Sequence, residues 1–191
     1  DNYEYWFSAA NFLAYSNNLK VVRSANTASA KNATVVGGGV LIQNSDDYYN
    51  NHSSNANTYG RFAAKWAGDL GNSIRVDMAD SNTYTSWSYS GEFTDSPSTS
   101  TYVSQRAGAN DEIHIVVVDA GGKFTGVANT ILEKFAFVSK ASDAKSSDGS
   151  TNYYKDVINQ RSKYIWSLYH GLINSNTTNW GSSSNRSEEH T

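Results

Sequence analysis

The residues whose types and spacing come nearest to a chemical motif lie in KWAGDLGNSIRV, Lys65 to Val76, where Gly68 and Gly71 frame an acid and a leucine. A phosphate cradle of the Walker type needs Gly-Lys-Ser/Thr opening a helix, because backbone N–H groups and the helix terminus hold the anion. Here Gly71 runs into Asn72-Ser73 and then strand-forming residues, with no lysine and no G-x-G-x-x-G spacing. The stretch therefore reads as a tight turn into a strand, and VVGGGV at Val35 to Val40, Gly-rich without a following lysine, as a flexible turn. Asp111, Glu112 and Asp119 bracket an apolar run, and Asp46-Asp47 and Asp77/Asp80 form two further acidic pairs. Two carboxylates roughly 5–9 Å apart would suffice for glycoside hydrolysis. Acids at strand ends and turns are usually solvated, and none of these pairs has a recognisable catalytic context.

His52, His114, His170 and His190 form no H-x-H or H-E-x-x-H grouping. His114 alternates with Ile113 and Ile115, as a packed strand histidine would. Serines are many, but no G-x-S-x-G elbow anchors a triad. The absence of cysteine removes disulfides, thiolate nucleophiles and sulfur-based zinc sites. The expectation is a protein that is not an enzyme, with no catalytic residues, no metal ligands and no cofactor. The 13 tyrosines and 5 tryptophans leave one other kind of site open. Tyr84, Trp87 and Tyr89 could form a sugar-stacking or partner-binding face, as in a carbohydrate-binding module, or could fill a core.

These residues must be positioned by a chain of 191 residues, enough for one sizeable core. A mean hydropathy of −0.57 with only 17% charged residues describes a polar surface built from Asn, Ser and Thr. A net charge of −3 and an isoelectric point near 5.8 provide no basic field for a nucleic-acid backbone. No apolar run approaches the roughly 18 residues of a membrane span. Both ends look cut: the chain enters an aromatic pattern at once and closes on GSSSNRSEEHT, so a fragment of something longer is expected.

From Tyr5 to about Asn18 the apolar spacing predicts a helix with one broad apolar face. LKVVR, Leu19 to Arg23, is expected as a short strand. Residues 25–58 are small, polar and Asn-rich around Val40 to Ile42, and read as an insertion or surface excursion. DEIHIVVVD, Asp111 to Asp119, predicts a strand buried on both faces. DAGGK should turn it into FTGV, with ILEKFAFVSK as a further strand. STNYYKDVINQRSKYIW shows helical spacing through Tyr164 and Ile165, with Ser150, Thr151 or Asn152 as cap. The expected class is α/β (α+β), a mixed central sheet flanked by helices. The core is expected to span 1–24 and 59–180, with residues 181–191 as a flexible tail.

FAAKWAGDLGNSIRVDM, DEIHIVVVDAGGKFTG, ILEKFAFVSKASDAK and NYYKDVINQRSKYIW, in this order, resemble the core of contractile tail sheath proteins of T-even-like bacteriophages. The matching positions are Trp66, Gly68, Gly71, Asn72, Ile74 and Val76, then Glu133 and Phe135, then Asn152, Tyr154, Ile158, Asn159, Ser162, Tyr164 and Ile165. FLAYSNNLKVVRS, Phe12 to Ser24, resembles the segment before that core. Ala67 stands where the family commonly has proline. The gap from Ser24 to Arg61 is short for the family's protruding domain, so a reduced insertion is implied. The resemblance implies a structural virion protein whose copies stack as six-membered rings around a tail tube and contract to drive genome delivery. It implies sheath subunits, tube and baseplate proteins as partners, no nucleic-acid or membrane partner, and residence in the virion tail after assembly in the host cytoplasm. Without the family's strand-exchanging arms, the isolated chain is expected to be monomeric.

Overall fold

The computed structural model describes residues 3–20, 29–35, 38–53, 59–169 and the backbone of 188–189. In chain order the elements are α1 (Tyr3–Leu13), β1 (Asn32–Thr34), α2 (Ser45–Asp47), β2 (Phe62–Ala67), α3 (Asp69–Asn72), β3 (Ile74–Ala79), α4 (Thr101–Ser104), β4 (Glu112–Asp119), β5 (Thr130–Ser139), α5 (Tyr154–Arg161), β6 (Ile165–Ser167) and β7 (Glu188–Glu189). A π-helical turn, Tyr48–His52, extends α2.

The class is α+β, as expected, but the sheet is not a single mixed one. The strands form a three-stranded sheet, β1-β2-β6, and a four-stranded sheet, β5-β4-β3-β7, and each of these strand pairs is antiparallel. β2 and β3 are joined by α3 in a single turn and belong to different sheets. That turn carries the chain from the first sheet into the second.

β4 follows the sequence closely, because all its residues except Glu112 are buried. Its two faces serve different cores. Ile113, Ile115 and Val117 join Phe62, Ala64, Ile74, Val76, Met78, Phe135, Tyr154, Val157, Ile158 and Ile165 in the main core between the sheets and α5. Val116 and Val118 pack with Ala79 and Trp87 on the opposite face. The three-stranded sheet is likewise covered twice, since Ala63 and Trp166 pack with Val40, Ile42, Tyr48 and Leu168. The apolar Val40 to Ile42 stretch is thus attached to the fold, and Asn32 secures it: the side chain donates to the Ala64 carbonyl and accepts from Ile42 N–H, both within 2.9 Å.

Several local expectations are corrected. α1 ends at Leu13 rather than near Asn18, and it buries no residue. Leu19 and Lys20 are irregular, and Val21 to Arg23 lie outside the described residues. FTGV is no strand. It belongs to the loop between β4 and β5, and β5 itself pairs with β4. α5 stops at Arg161 because Ser162 turns extended (φ −65°, ψ 138°), which sends Ile165 into β6 instead of a fourth helical turn. The helix starts after Tyr153 without a side-chain cap. The tail at 181–191 falls outside the described residues except for the β7 backbone.

Candidate functional site at the junction of the two sheets

β2, α3, the 120–129 loop and the α5–β6 turn meet where the two sheets join. The glycines shape this corner. Gly68 has φ +73°, which a side chain rarely adopts. Gly71 is required for closeness, because a Cβ there would stand 2.2 Å from the Trp66 carbonyl oxygen and 3.0 Å from Ala64 Cβ. The turn therefore packs directly on the strand it leaves.

Glu133 of β5 crosses to the α5–β6 turn. Ser162 Oγ donates to Glu133 Oε2 at 2.6 Å, and Lys163 N–H donates to Oε1 at 2.8 Å. Ser162 Oγ in turn accepts from Ile165 N–H at 3.0 Å, starting β6. From the other side Lys65 Nζ donates to the Ser162 carbonyl at 2.6 Å and lies 3.9 Å from the Trp166 ring centroid. A cation at the end of α5 satisfies carbonyls that the helix cannot. Burial lowers the Lys65 pKa, and nearby Glu133 acts against that shift. Trp66 Nε1 donates to the Lys163 carbonyl at 3.0 Å, and its ring meets the edge of Phe124, which meets the edge of Tyr164 at 5.1 Å. Trp66 stays about half exposed, so the corner has an aromatic surface.

Behind α5, Asn159 makes a second tie. Its Nδ2 donates to Tyr48 Oη at 2.8 Å, and its Oδ1 accepts from Ser167 N–H at 2.8 Å. Tyr48 Oη donates to the Ser167 carbonyl and its ring stacks on Trp166 at 4.6 Å. Burial pushes the Tyr48 pKa up to about 12, so the phenol stays neutral and keeps its proton for that bond.

Of the residues singled out by sequence, Trp66, Gly68, Gly71, Glu133 and Tyr164 converge on this corner. Ile74, Val76 and Phe135 lie in the main core, Asn159 holds the second tie, and the Asn72 side chain is exposed. Tyr84, Trp87 and Tyr89 cluster as expected but face inward. Trp87 is only 3% exposed, stacks on Phe93 and donates from Nε1 to Asp77 Oδ1 at 2.8 Å. Tyr84 and Tyr89 are half-buried against the same core. The stacking face of the ring that a sugar would need is already covered by protein.

The strand-end acids are also not solvated, which corrects the sequence reading. Asp119 is fully buried and accepts from Ser73 Oγ, from Lys123, Phe124 and Thr125 N–H, and from Thr125 Oγ1. Burial acts to raise its pKa, but these donors outweigh it and bring it down to about 2. Asp111 accepts from Ser100 N–H and Oγ and from Ser139 Oγ. Both acids staple loops to strand ends. The signal for Asp119 was present in DAGGKFT, since an Asp before a glycine turn commonly folds the following backbone onto its own carboxylate. His114 is a packed strand histidine, as read: it stacks on Phe93 at 4.1 Å, Nδ1 accepts from Phe137 N–H, and Nε2 faces the Asp95 carbonyl at 2.9 Å. Among the described residues no three His, Cys, Asp or Glu side chains gather into a metal-binding group.

No profile of a known protein family matches the chain. It is similar to the tail sheath protein of Salmonella phage ViI, 27% identical over 122 residues. That alignment takes in 64% of this chain and 17% of the phage protein, so the chain corresponds to a small part of its relative's length.

Proposed function

We propose that the chain is part of a structural tail protein, a subunit of the contractile sheath that surrounds a bacteriophage tail tube and shortens to drive genome delivery. The observation that carries this reading is the 122-residue similarity to a tail sheath protein. The corner described above supports it. Motif residues scattered between Trp66 and Tyr164 serve one junction made of hydrogen bonds and ring contacts. A subunit that is pulled and rotated must stay rigid inside while its weak polar contacts rearrange. Sheets joined through Glu133, Lys65 and Trp66 meet the first need, and an Asn- and Ser-rich exterior the second.

On this reading the partners are other sheath subunits, stacked as six-membered rings, together with tube and baseplate proteins. The protein resides in the virion tail after assembly in the host cytoplasm, and its role is not enzymatic. The outer edge of β5 offers backbone groups that a neighbouring copy's strand could pair with. The test is electron microscopy of the full-length parent protein. Tubes of contractile-tail dimensions are expected, and failure to polymerise under any condition tried would overturn the reading.

A further inference from the structure

Phe137 carries a positive φ of 53° inside β5, a conformation that a bulky side chain avoids. The strand register shows what imposes it. β4 and β5 pair Ile113 with Val138 and Ile115 with Phe135, so Ala136 and Phe137 together oppose His114. Two residues facing one make a β-bulge, and here the bulged strand bonds to side chains. Phe137 N–H donates to His114 Nδ1 at 3.0 Å, and the Phe137 carbonyl accepts from Asn152 Nδ2 at 2.9 Å.

These partners fix the proton of the imidazole. Nδ1 must present its lone pair to Phe137 N–H, so in the neutral ring the proton sits on Nε2 and is donated to the Asp95 carbonyl at 2.9 Å. That tautomer satisfies both bonds. The imidazolium cannot, because it carries N–H on both nitrogens and sets a second donor against Phe137 N–H. The ring is fully buried, stacked on Phe93 at 4.1 Å, with the rings of Phe137 and Tyr84 edge-on at 4.6 and 5.7 Å. A phenyl face attracts a cation only weakly against two opposed, desolvated donors.

We propose that His114 is an acid-sensitive latch: neutral, it holds the bulge at Phe137 and ties it to the segment around Asp95; protonated, it releases Phe137 N–H and lets that residue relax. Strained backbone persists where its surroundings over-determine it, and His114 is the group that does so here. The ionisable groups on the elements packed around the ring are Asp77 and Asp80 of β3, Glu112 of β4, Lys134 of β5, and Tyr84, Glu92 and Asp95 of the covering segment. Asp77 accepts from Trp87 Nε1, Asp80 from Asn82 and Thr83 N–H, and Glu112 from Ser98 N–H, while Glu92 pairs with Lys134 at 3.3 Å. The hydrogen-bond partners of the ring itself are backbone groups, Phe137 N–H and the Asp95 carbonyl. Burial accordingly lowers the His114 pKa, with the Asp95 and Ile113 carbonyls acting against that shift. The unfolded chain therefore takes the proton first as pH falls. The contribution of the latch is complete above about pH 6.5 and is lost as the pH drops through the lower folded value.

The test is NMR of the isotopically labelled full chain between about pH 7.5 and about pH 4.5. At neutral pH the ring is expected as the Nε2–H tautomer, with a coupling across the hydrogen bond from Phe137 N–H to Nδ1. As His114 titrates below about pH 6.5, hydrogen-exchange protection of Phe137, corrected for the intrinsic effect of pH, is expected to fall at least about tenfold, while Val117 in mid-β4 keeps its own. His114→Gln, which cannot take up the proton, should show no such step. An Nδ1–H tautomer at neutral pH overturns the proposal. So does a ring that stays neutral to the end of the range or titrates above about pH 6.5. Titration that leaves Phe137 protected, protection lost equally at Val117, or a step that persists in His114→Gln would each overturn it as well. If His114→Gln does not fold, the wild-type tautomer and the Phe137 step decide by themselves. None of these outcomes depends on whether the parent protein forms tubes.

Discussion

Glu133 and Ser162 stand 29 positions apart and are joined by a 2.6 Å hydrogen bond from Ser162 Oγ to Glu133 Oε2. Through it the long strand β5 determines where α5 ends and β6 begins. Removing the carboxylate should therefore loosen an element it does not belong to. Glu133→Ala is expected to lower unfolding free energy by about 1–3 kcal/mol, since it strands Lys163 N–H and Ser162 Oγ at a partly buried turn. Denaturant unfolding measures the cost. Hydrogen exchange should show the loss concentrated at residues 162–167, and protection that falls evenly over the whole chain would contradict the local role.

The two glycines of the corner should differ in how they fail. Gly68→Ala meets open space and only a backbone penalty, expected at about 1–3 kcal/mol for an unfavourable positive φ. Gly71→Ala drives a Cβ into the Trp66 carbonyl and must move β2, so it should cost more than Gly68→Ala and quench the order of the Trp66 ring. Equal costs in chemical denaturation, or the reverse order, would show that closeness at Gly71 is not the constraint.

Acid should weaken the β4–β5 connection. The Asp119 carboxyl has its pKa depressed to about 2 in the folded chain, against about 3.9 when unfolded. The unfolded chain thus binds the proton first as pH falls. The stabilisation is complete above about pH 4 and is lost between about pH 4 and pH 2. Asp119→Asn should be less stable than wild type at neutral pH, yet lose less on acidification through that window. Parallel stability–pH curves for the two proteins would refute this account.

Trp87 should behave as a core residue. Trp87→Ala is expected to destabilise by about 3–5 kcal/mol, through the cavity it leaves and the unpaired Asp77 carboxylate. Trp87→Phe should be milder, because it keeps the stacking on Phe93 and loses only the hydrogen bond. Thermal unfolding distinguishes them, and an alanine variant as stable as wild type would return Trp87 to the surface.

What could be read before the structure follows a clear line. β4 was legible because Ile115 to Val118 is an unbroken β-branched run, and such a run fits a strand covered on both faces. The tight corner was legible because Gly68 and Gly71 have few other uses between a strand-like FAAKWA and IRVDMA. α5 was found but overrun at its end. Its stop depends on Ser162 being held by Glu133, a residue remote in sequence, and local periodicity cannot register that. FTGV was misread for a similar reason, since the loop owes its shape to the Asp119 carboxylate rather than to strand propensity.

The sequence by itself determined local decisions: that Ile115 to Val118 extends, and that the chain turns tightly at Gly68 and Gly71. Tertiary structure alone decided which face of each ring or acid is covered. It turned Trp87 inward and left Trp6 exposed, although both are tryptophans among aromatics, because β3 and β4 pack against Trp87 while none of the described residues buries Trp6. It likewise changed Asp119 from a solvated strand end into a buried loop anchor. Burial is a property of the partners that arrive from elsewhere in the chain, and their arrival is set by the joint packing of two sheets, which no short window of sequence contains.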